Sequence, residues 1–332
     1  MIISRTPFRI SFFGGGTDYP AWFRENGGVV LATAIDKYCY ISCRHLPPFF
    51  EHKYRIVYSK IENVQNIADI KHPAVRAALD WLHCEDGLEI HHDGDLPARS
   101  GLGSSSAFTV GLINAIKALR GQYITDEQLA RDAIHIEQDI LKENVGSQDQ
   151  ISTAYGGFNR IQFLTDNSFK VTPVVLPPAR VERLERHLML FFTGISRFSS
   201  DIAKSQIENI KERQTELRRM EEMVGEALAV LGRQNAGLDD FGRLLDEGWK
   251  HKRGMSNKVS NSTIDDIYAD AQKAGALGGK LLGAGGGGFM LFFVEPEQRD
   301  ALRERLRKLI HVPFRFERSG SRIVLYQPNG LK

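Results

Sequence analysis

Apolar positions repeat along this chain with two periods. Residues 8–13 and 28–43, rich in aromatic and β-branched side chains, have the pattern of strands. Residues 74–82 predict a short helix and 87–91 a strand. Helical spacing resumes at the serines beginning at Ser104 and runs to about Leu119. Thr125, with Gln128 three residues on, has the form of a capping box and opens a helix that ends near Leu141. Gly156 and Gly157 then break into the strand FNRIQF. The proline-rich stretch TPVVLPPAR, residues 172–180, predicts a boundary between an N-terminal lobe (1–180) and a C-terminal lobe (181–332). The second lobe opens on the strand LMLFFTG and continues with a long charged helix from Asp201 to about Leu231. Helices near 238–252 and 263–274 come next, then two strand signals around KLLGAGGGGFMLFFV, a final helix and two short strands. The pattern predicts a two-lobed α+β fold.

Composition narrows the function classes. At 332 residues, 42% hydrophobic and 25% charged, the chain is ordinary for a globular protein with a substantial core. Lys and Arg total 43 against 41 Asp and Glu, a net charge of +2, which offers no nucleic-acid footprint. Cys39, Cys43 and Cys84 are too few for a disulfide framework and lack metal-ligand spacing, so a cytoplasmic location is expected. Arg5 and Arg9 interrupt the apolar start, unlike a signal peptide, and no run of eighteen apolar residues suggests a membrane span.

Three glycine-rich loops stand out, at 14–18, 100–106 and 283–288. The third matches G-x-G-x-x-G through Gly283, Gly285 and Gly288, but a strand comes after it where a dinucleotide site needs a helix. A Walker A reading ending at Gly279 and Lys280 fails on Ala274 and Leu281. What remains is a tight hairpin whose bare backbone lets another segment approach. The second loop, SGLGSSS, leads directly into a helix. Exposed N–H groups at a helix start bind anions, and serine hydroxyls add phosphate or Mg²⁺ contacts. Capping alone needs fewer serines than three.

Two acidic residues lie downstream. On a helical wheel Glu137 falls near the middle of an apolar arc that includes Leu129, Ala133, Ile136 and Ile140. A buried carboxylate needs a cation or strong donors; Mg²⁺ would serve, and so would a buried arginine. Ser147 and Gln150 have capping-box spacing, which puts Asp149 in a first helical turn, suited either to the helix dipole or to a reacting hydroxyl. The pair His91 and His92 reads as a strand end, since adjacent side chains point to opposite faces.

Together RTPFRISFFGGGTDYP, PARSGLGSSSA and KLLGAGGGGF, in this order and with Glu137 and Asp149 between them, resemble the three motifs of the GHMP kinase superfamily over residues 5–289. The resemblance implies a two-lobed fold with ATP and Mg²⁺ in the cleft. Gly101, Leu102, Gly103, Ser104, Ser105 and Ser106 would surround the nucleotide phosphates, and Ser104 or Ser105 with Glu137 would ligate the metal. Asp149 would orient or deprotonate the acceptor hydroxyl, Arg9 would lie near the transferred phosphate, and Asp18 would meet sugar hydroxyls. Gly14, Gly15 and Gly16 stand where galactokinases carry Gly-Glu-His, which enlarges the acceptor pocket.

With TGISR at 193–197, the pattern is most similar to the branch that includes bacterial heptose 7-phosphate kinases and L-fucokinases. This implies phosphorylation of D-glycero-D-manno-heptose 7-phosphate at its anomeric hydroxyl, toward GDP-heptose. The rival readings are an L-fucokinase or galactokinase-like sugar 1-kinase and a non-catalytic sugar and ATP sensor. The substrate phosphate calls for a basic cradle, with Arg197 foremost and Lys204, Lys37 and Arg44 as further candidates, while Gly286 completes the expected substrate contacts. Residues 60–73 would flank adenine by family analogy. Expected partners are ATP and a sugar phosphate, not nucleic acid or membrane; a homodimer is left open.

Overall fold

The computed structural model describes residues 1–98, 100–195, 199–233 and 235–329. In chain order the first elements are β1 (Ile2–Phe13), α1 (Pro20–Asn26), β2 (Gly28–His45), β3 (Tyr54–Val57), β4 (Ile61–Val64), α2 (Pro73–Trp81) and β5 (Leu88–Gly94). Next come α3 (Ser104–Leu119), α4 (Asp126–Ile134), α5 (Gln148–Tyr155), β6 (Phe158–Phe163), β7 (Phe169–Pro173), α6 (Pro178–His187) and β8 (Leu188–Phe192). After them lie α7 (Ser199–Glu208), α8 (Gln214–Gly232), α9 (Asp239–Gly254), α10 (Ser262–Lys273), β9 (Ala276–Leu281) and β10 (Phe289–Val294). The chain closes with α11 (Arg299–Arg305), β11 (Ile310–Val312), β12 (Phe316–Glu317) and β13 (Arg322–Tyr326).

β2 is long enough to serve three partners besides β1. Its first half pairs with β6 from Gly28 to Thr33, its second with β5 from Cys39 to His45. The larger sheet runs β13-β1-β2-β5-β3-β4, with β12 and the β6–β7 hairpin also on β2; the smaller runs β11-β8-β10-β9. α3 is apolar on nearly all sides because it is buried against β1 and β2, as an all-round hydrophobic helix must be. β10 explains its own unbroken run FMLFFV. Phe289, Leu291 and Phe293 face one core cluster, and Met290, Phe292 and Val294 face the other.

Several expectations need revision. The single helix read from Asp201 to Leu231 is two, α7 and α8, separated by a 3₁₀ turn at Ile210–Glu212. The proline-rich boundary is occupied by the end of β7 and by α6, which starts with Pro178 in the first turn. A cut at residue 180 falls inside α6, and β12 and β13 return to the larger sheet beside β2 and β1. The four-residue strands β3 and β4 were too short to show a period. No helix among the described residues is long and apolar enough to cross a membrane.

Candidate active site

The three glycine loops converge. Gly101 and Gly103 have φ of +84° and +74°, a left-handed region in which side chains are strained. A Cβ on Gly101 would lie 2.4 Å from the Leu282 carbonyl oxygen, and one on Gly283 would lie 2.5 Å from Gly101 Cα. The Phe289 N–H donates to the Ser100 carbonyl at 3.2 Å. The segment approaching the third loop is therefore the second loop. Together with Gly14–Gly16 they border a cavity of about 840 Å³, lined also by Ser104, Ser105, Ser106, Asp18 and Asp149. Gly103 is the N-cap of α3 and has no side chain to cap its first turn, and that turn borders the cavity through Ser104, Ser105 and Ser106. Leu102 contributes backbone, its side chain being fully buried.

Arg9 joins this loop to the expected base. Its backbone N–H donates to the Leu102 carbonyl at 3.0 Å, and one guanidinium nitrogen donates to the Gly101 carbonyl at 2.7 Å. The other two form a fork on Asp149, Nε to Oδ1 at 2.8 Å and Nη2 to Oδ2 at 2.7 Å. Asp149 stands in the first turn of α5, as its position in the sequence predicts. The capping box beside it does not form. Ser147 Oγ accepts instead from Gln138 Nε2 at 3.0 Å, and Gln150 turns its amide to Glu137. At Thr125 the forward half of its box does form, Gln128 N–H donating to Oγ1 at 3.1 Å, while the Gln128 side chain donates to Asp132.

Glu137 is buried, 1% exposed, as the wheel places it. After α4 the backbone widens into a π-turn at His135–Ile140, where Leu141 N–H donates to the Ile136 carbonyl at 2.9 Å. The wider turn rotates the residues toward its end, so Ile140, expected on the apolar arc, is exposed. Ser106 Oγ and Gln150 Nε2 donate to Glu137 Oε2, while Oε1 is buried with no partner among the described residues. Burial pushes the carboxyl up to about 7, against the hydrogen bonds from Gln150 and Ser106. Ser106 Oγ reaches Glu137 from the first turn of α3, while Ser104 and Ser105, expected as metal ligands, line the cavity.

Asp18 is 2% exposed and held by backbone: Gly16 N–H donates to Oδ1 at 2.9 Å and Gln148 N–H to Oδ2 at 3.3 Å. Its carboxyl is pushed up by burial and by the Asp149 charge, against the Gly16 hydrogen bond. Gly15 and Gly16 border the cavity. Gly286 does not; its N–H donates to the Val259 carbonyl at 2.9 Å. Arg197 lies outside the described residues. Lys37 pairs with Asp36 and Arg44 with Glu89, Lys204 is exposed, and none of the three lines the cavity.

The cleft is also lined by Lys252, which lies outside the sequence motifs, and by Lys280, which opens KLLGAGGGGF but takes no role from it. Lys252 continues the apolar face of α9 after Leu245 and Trp249, spacing that could have revealed it in the manner of Glu137. Lys280 is a buried lysine in the apolar strand β9. Another part of the cavity wall is aromatic: His72 stacks on Phe108 at 4.7 Å, with Tyr58 edge-on to His72 at 4.8 Å, and Lys60, Lys71 and Pro73 beside them.

Residues 67–157 match the GHMP kinases N terminal domain and residues 214–311 the GHMP kinases C terminal domain. The chain is 30% identical over 321 residues to D-glycero-alpha-D-manno-heptose 7-phosphate kinase of Campylobacter jejuni, covering 92% of this chain and 93% of that one. It is 26% identical over 330 residues to the bifunctional fucokinase/GDP-fucose pyrophosphorylase of Arabidopsis thaliana, covering 91% of this chain and 31% of that longer protein. Its fold resembles the crystal structure of a D-glycero-D-manno-heptose 1-phosphate kinase from Bacteroides thetaiotaomicron, with a TM-score of 0.78 and 24% identity over 97% and 98% of the two chains.

Proposed function

This chain belongs to the GHMP kinase family, and from that premise we propose that it transfers the γ-phosphoryl group of ATP to the anomeric (C1) hydroxyl of D-glycero-D-manno-heptose 7-phosphate, yielding the 1,7-bisphosphate for GDP-heptose and surface-polysaccharide synthesis. It is a sugar-phosphate kinase that takes its phosphoryl group from ATP. The acceptor and the oxygen phosphorylated are the new element. The Arg9 fork supports the reading most directly, since it holds the Asp149 carboxylate against the phosphate loop in the cavity that Gly14–Gly16 widen.

Phosphoryl transfer depends on positioning and charge neutralisation more than on covalent chemistry. In this reading the first turn of α3 and the Gly101–Gly103 backbone hold the nucleotide phosphates, and Tyr58, His72 and Phe108 flank the base. Asp149, oriented by Arg9, accepts a hydrogen bond from the C1 hydroxyl and takes its proton as the oxygen bonds to phosphorus and the bond to ADP breaks. Each Asp18 oxygen accepts one backbone N–H and keeps a lone pair for a sugar hydroxyl. Ser104, Ser105 and Ser106 line the cavity and Glu137, bonded to Ser106, has one oxygen without a partner among the described residues; these hard oxygens are the donors that would hold Mg²⁺. When bound there, Mg²⁺ would supply neutralisation of the phosphate charge.

The test is ADP release by the purified protein with ATP, Mg²⁺ and a sugar panel, with phosphorus NMR of the product. The expected product carries a second phosphate on the anomeric carbon of the heptose. ADP release only with L-fucose or galactose would reassign the acceptor; nucleotide binding with no turnover would make the protein a sensor.

A further inference from the structure

We propose that Lys252 and Lys280 form the subsite that holds the acceptor's own phosphate, so that two ammonium groups within the cleft select a phosphorylated sugar. The inference rests on the reading above that the acceptor is a sugar phosphate. Both lysines come from the second lobe, on α9 and β9, and both line the cavity. Lys280 Nζ donates to the Phe12 carbonyl at 2.8 Å; Lys252 Nζ donates to the Leu281 carbonyl at 3.0 Å and to the Gly283 carbonyl. Among the described residues neither is in an ion pair. An ammonium has three donors. Against these carbonyl contacts Lys252 keeps one donor and Lys280 two.

Their placement matches an acceptor group. Phe12 lies next to the end of β1, just before the Gly14–Gly16 loop, and Gly283 packs on Gly101. The lysines therefore bridge the sugar pocket and the phosphate loop without belonging to the latter. In the reading above ATP's phosphates already have the α3 start and the Gly101–Gly103 backbone. Burial, followed by the nearby positive charge of Arg9, pushes Lys252 down to about 7; burial and the Lys252 charge push Lys280 far down. Asp18 and Asp149 act on Lys252 in the opposite direction, and Asp18 on Lys280. Two desolvated cations that satisfy only carbonyls are costly, and a neutral amide could make those contacts at lower cost. A phosphate dianion between them offsets that cost.

The experiment compares Lys252→Met and Lys280→Met with the unaltered protein on heptose 7-phosphate and on the same sugar without its phosphate. The ratio of kcat/KM for the two sugars should fall about 10- to 100-fold for each variant, the range expected for one charged hydrogen bond. Calorimetry should show unchanged affinity for a non-hydrolysable ATP analogue. An unchanged ratio, with both sugars losing equally, overturns the assignment. With the nucleotide site filled by the analogue, inorganic phosphate should bind the unaltered protein with proton uptake and bind the variants at least 10-fold more weakly. Absent or equal phosphate binding also overturns it. If no phosphorylated sugar is turned over, the acceptor reading fails on its own, and the phosphate titration still judges the lysines. Should the Met variants lose their cooperative melt, Lys252→Gln and Lys280→Gln carry the same measurements.

Discussion

Arg9 ties together the two parts on which the proposed transfer depends. Its guanidinium bonds Asp149 on one side and the Gly101 carbonyl on the other, so carboxylate and phosphate loop keep one relative position. Asp149→Asn preserves shape but removes the proton acceptor, and kcat for ADP release should fall ~10²–10⁴-fold with nucleotide affinity retained. Full activity in this variant would take Asp149 out of the chemistry. Lys252 makes a prediction about stability. Its folded-state pKa of about 7 lies below the ordinary 10.5, so between these values the unfolded chain binds a proton that the native protein has released. The native state thus bears the full burial penalty below pH 7 and sheds it as pH rises toward 10.5. In ligand-free protein the stability of the unaltered chain should rise relative to Lys252→Met between pH 7 and 9. Paired urea denaturation curves with a difference independent of pH would contradict this.

Among elements, the glycine loops act by what they lack. Ala at 101 would place a methyl 2.4 Å from the Leu282 carbonyl oxygen at a φ of +84°, whereas Ala at 103 would lie 3.1 Å from Arg9 Cγ at +74°. Left-handed backbone alone costs a residue with a Cβ ~1–2 kcal/mol. Gly103→Ala should lose about that much in urea denaturation and much of its turnover, through displacement of Arg9. Gly101→Ala should lose more, because the obstacle is backbone that cannot rotate away. Equal losses would show that the two loops separate easily. The π-turn shows how far an element departs from its sequence signal. A wheel at uniform spacing brings Glu137 inward correctly, then misplaces Ile140, because the widened turn changes the phase toward its end. The Ser147–Gln150 spacing satisfies a capping rule, yet both side chains are drawn to the polar groups around Glu137 and Gln138.

In the molecule as a whole, the end of the chain completes the beginning. β13 pairs with β1 from Ile2–Tyr326 to Arg5–Arg322, and Ser321 Oγ meets Thr6 Oγ1 at 2.8 Å and Asn114 Nδ2 at 3.0 Å. A chain ending at Gly320 would leave β1 as an open edge and these buried groups unpaired, although the residues matching the two kinase domains end at 311. Its thermal midpoint should fall by roughly 5–10 °C in calorimetry, and an unchanged midpoint would show that β13 is dispensable. The glycine loops, the start of α3, the placement of Asp149 in a first turn and the inward turn of Glu137 were all legible before folding. They arise from left-handed backbone, helix starts and periodicity, which act over a few neighbouring residues. The partner of Glu137, the backbone lock on Asp18, the lysines of the cleft and the return of β13 were not. Periodicity tells which way a side chain points; the group it meets is brought from far along the chain, and only packing brings it there.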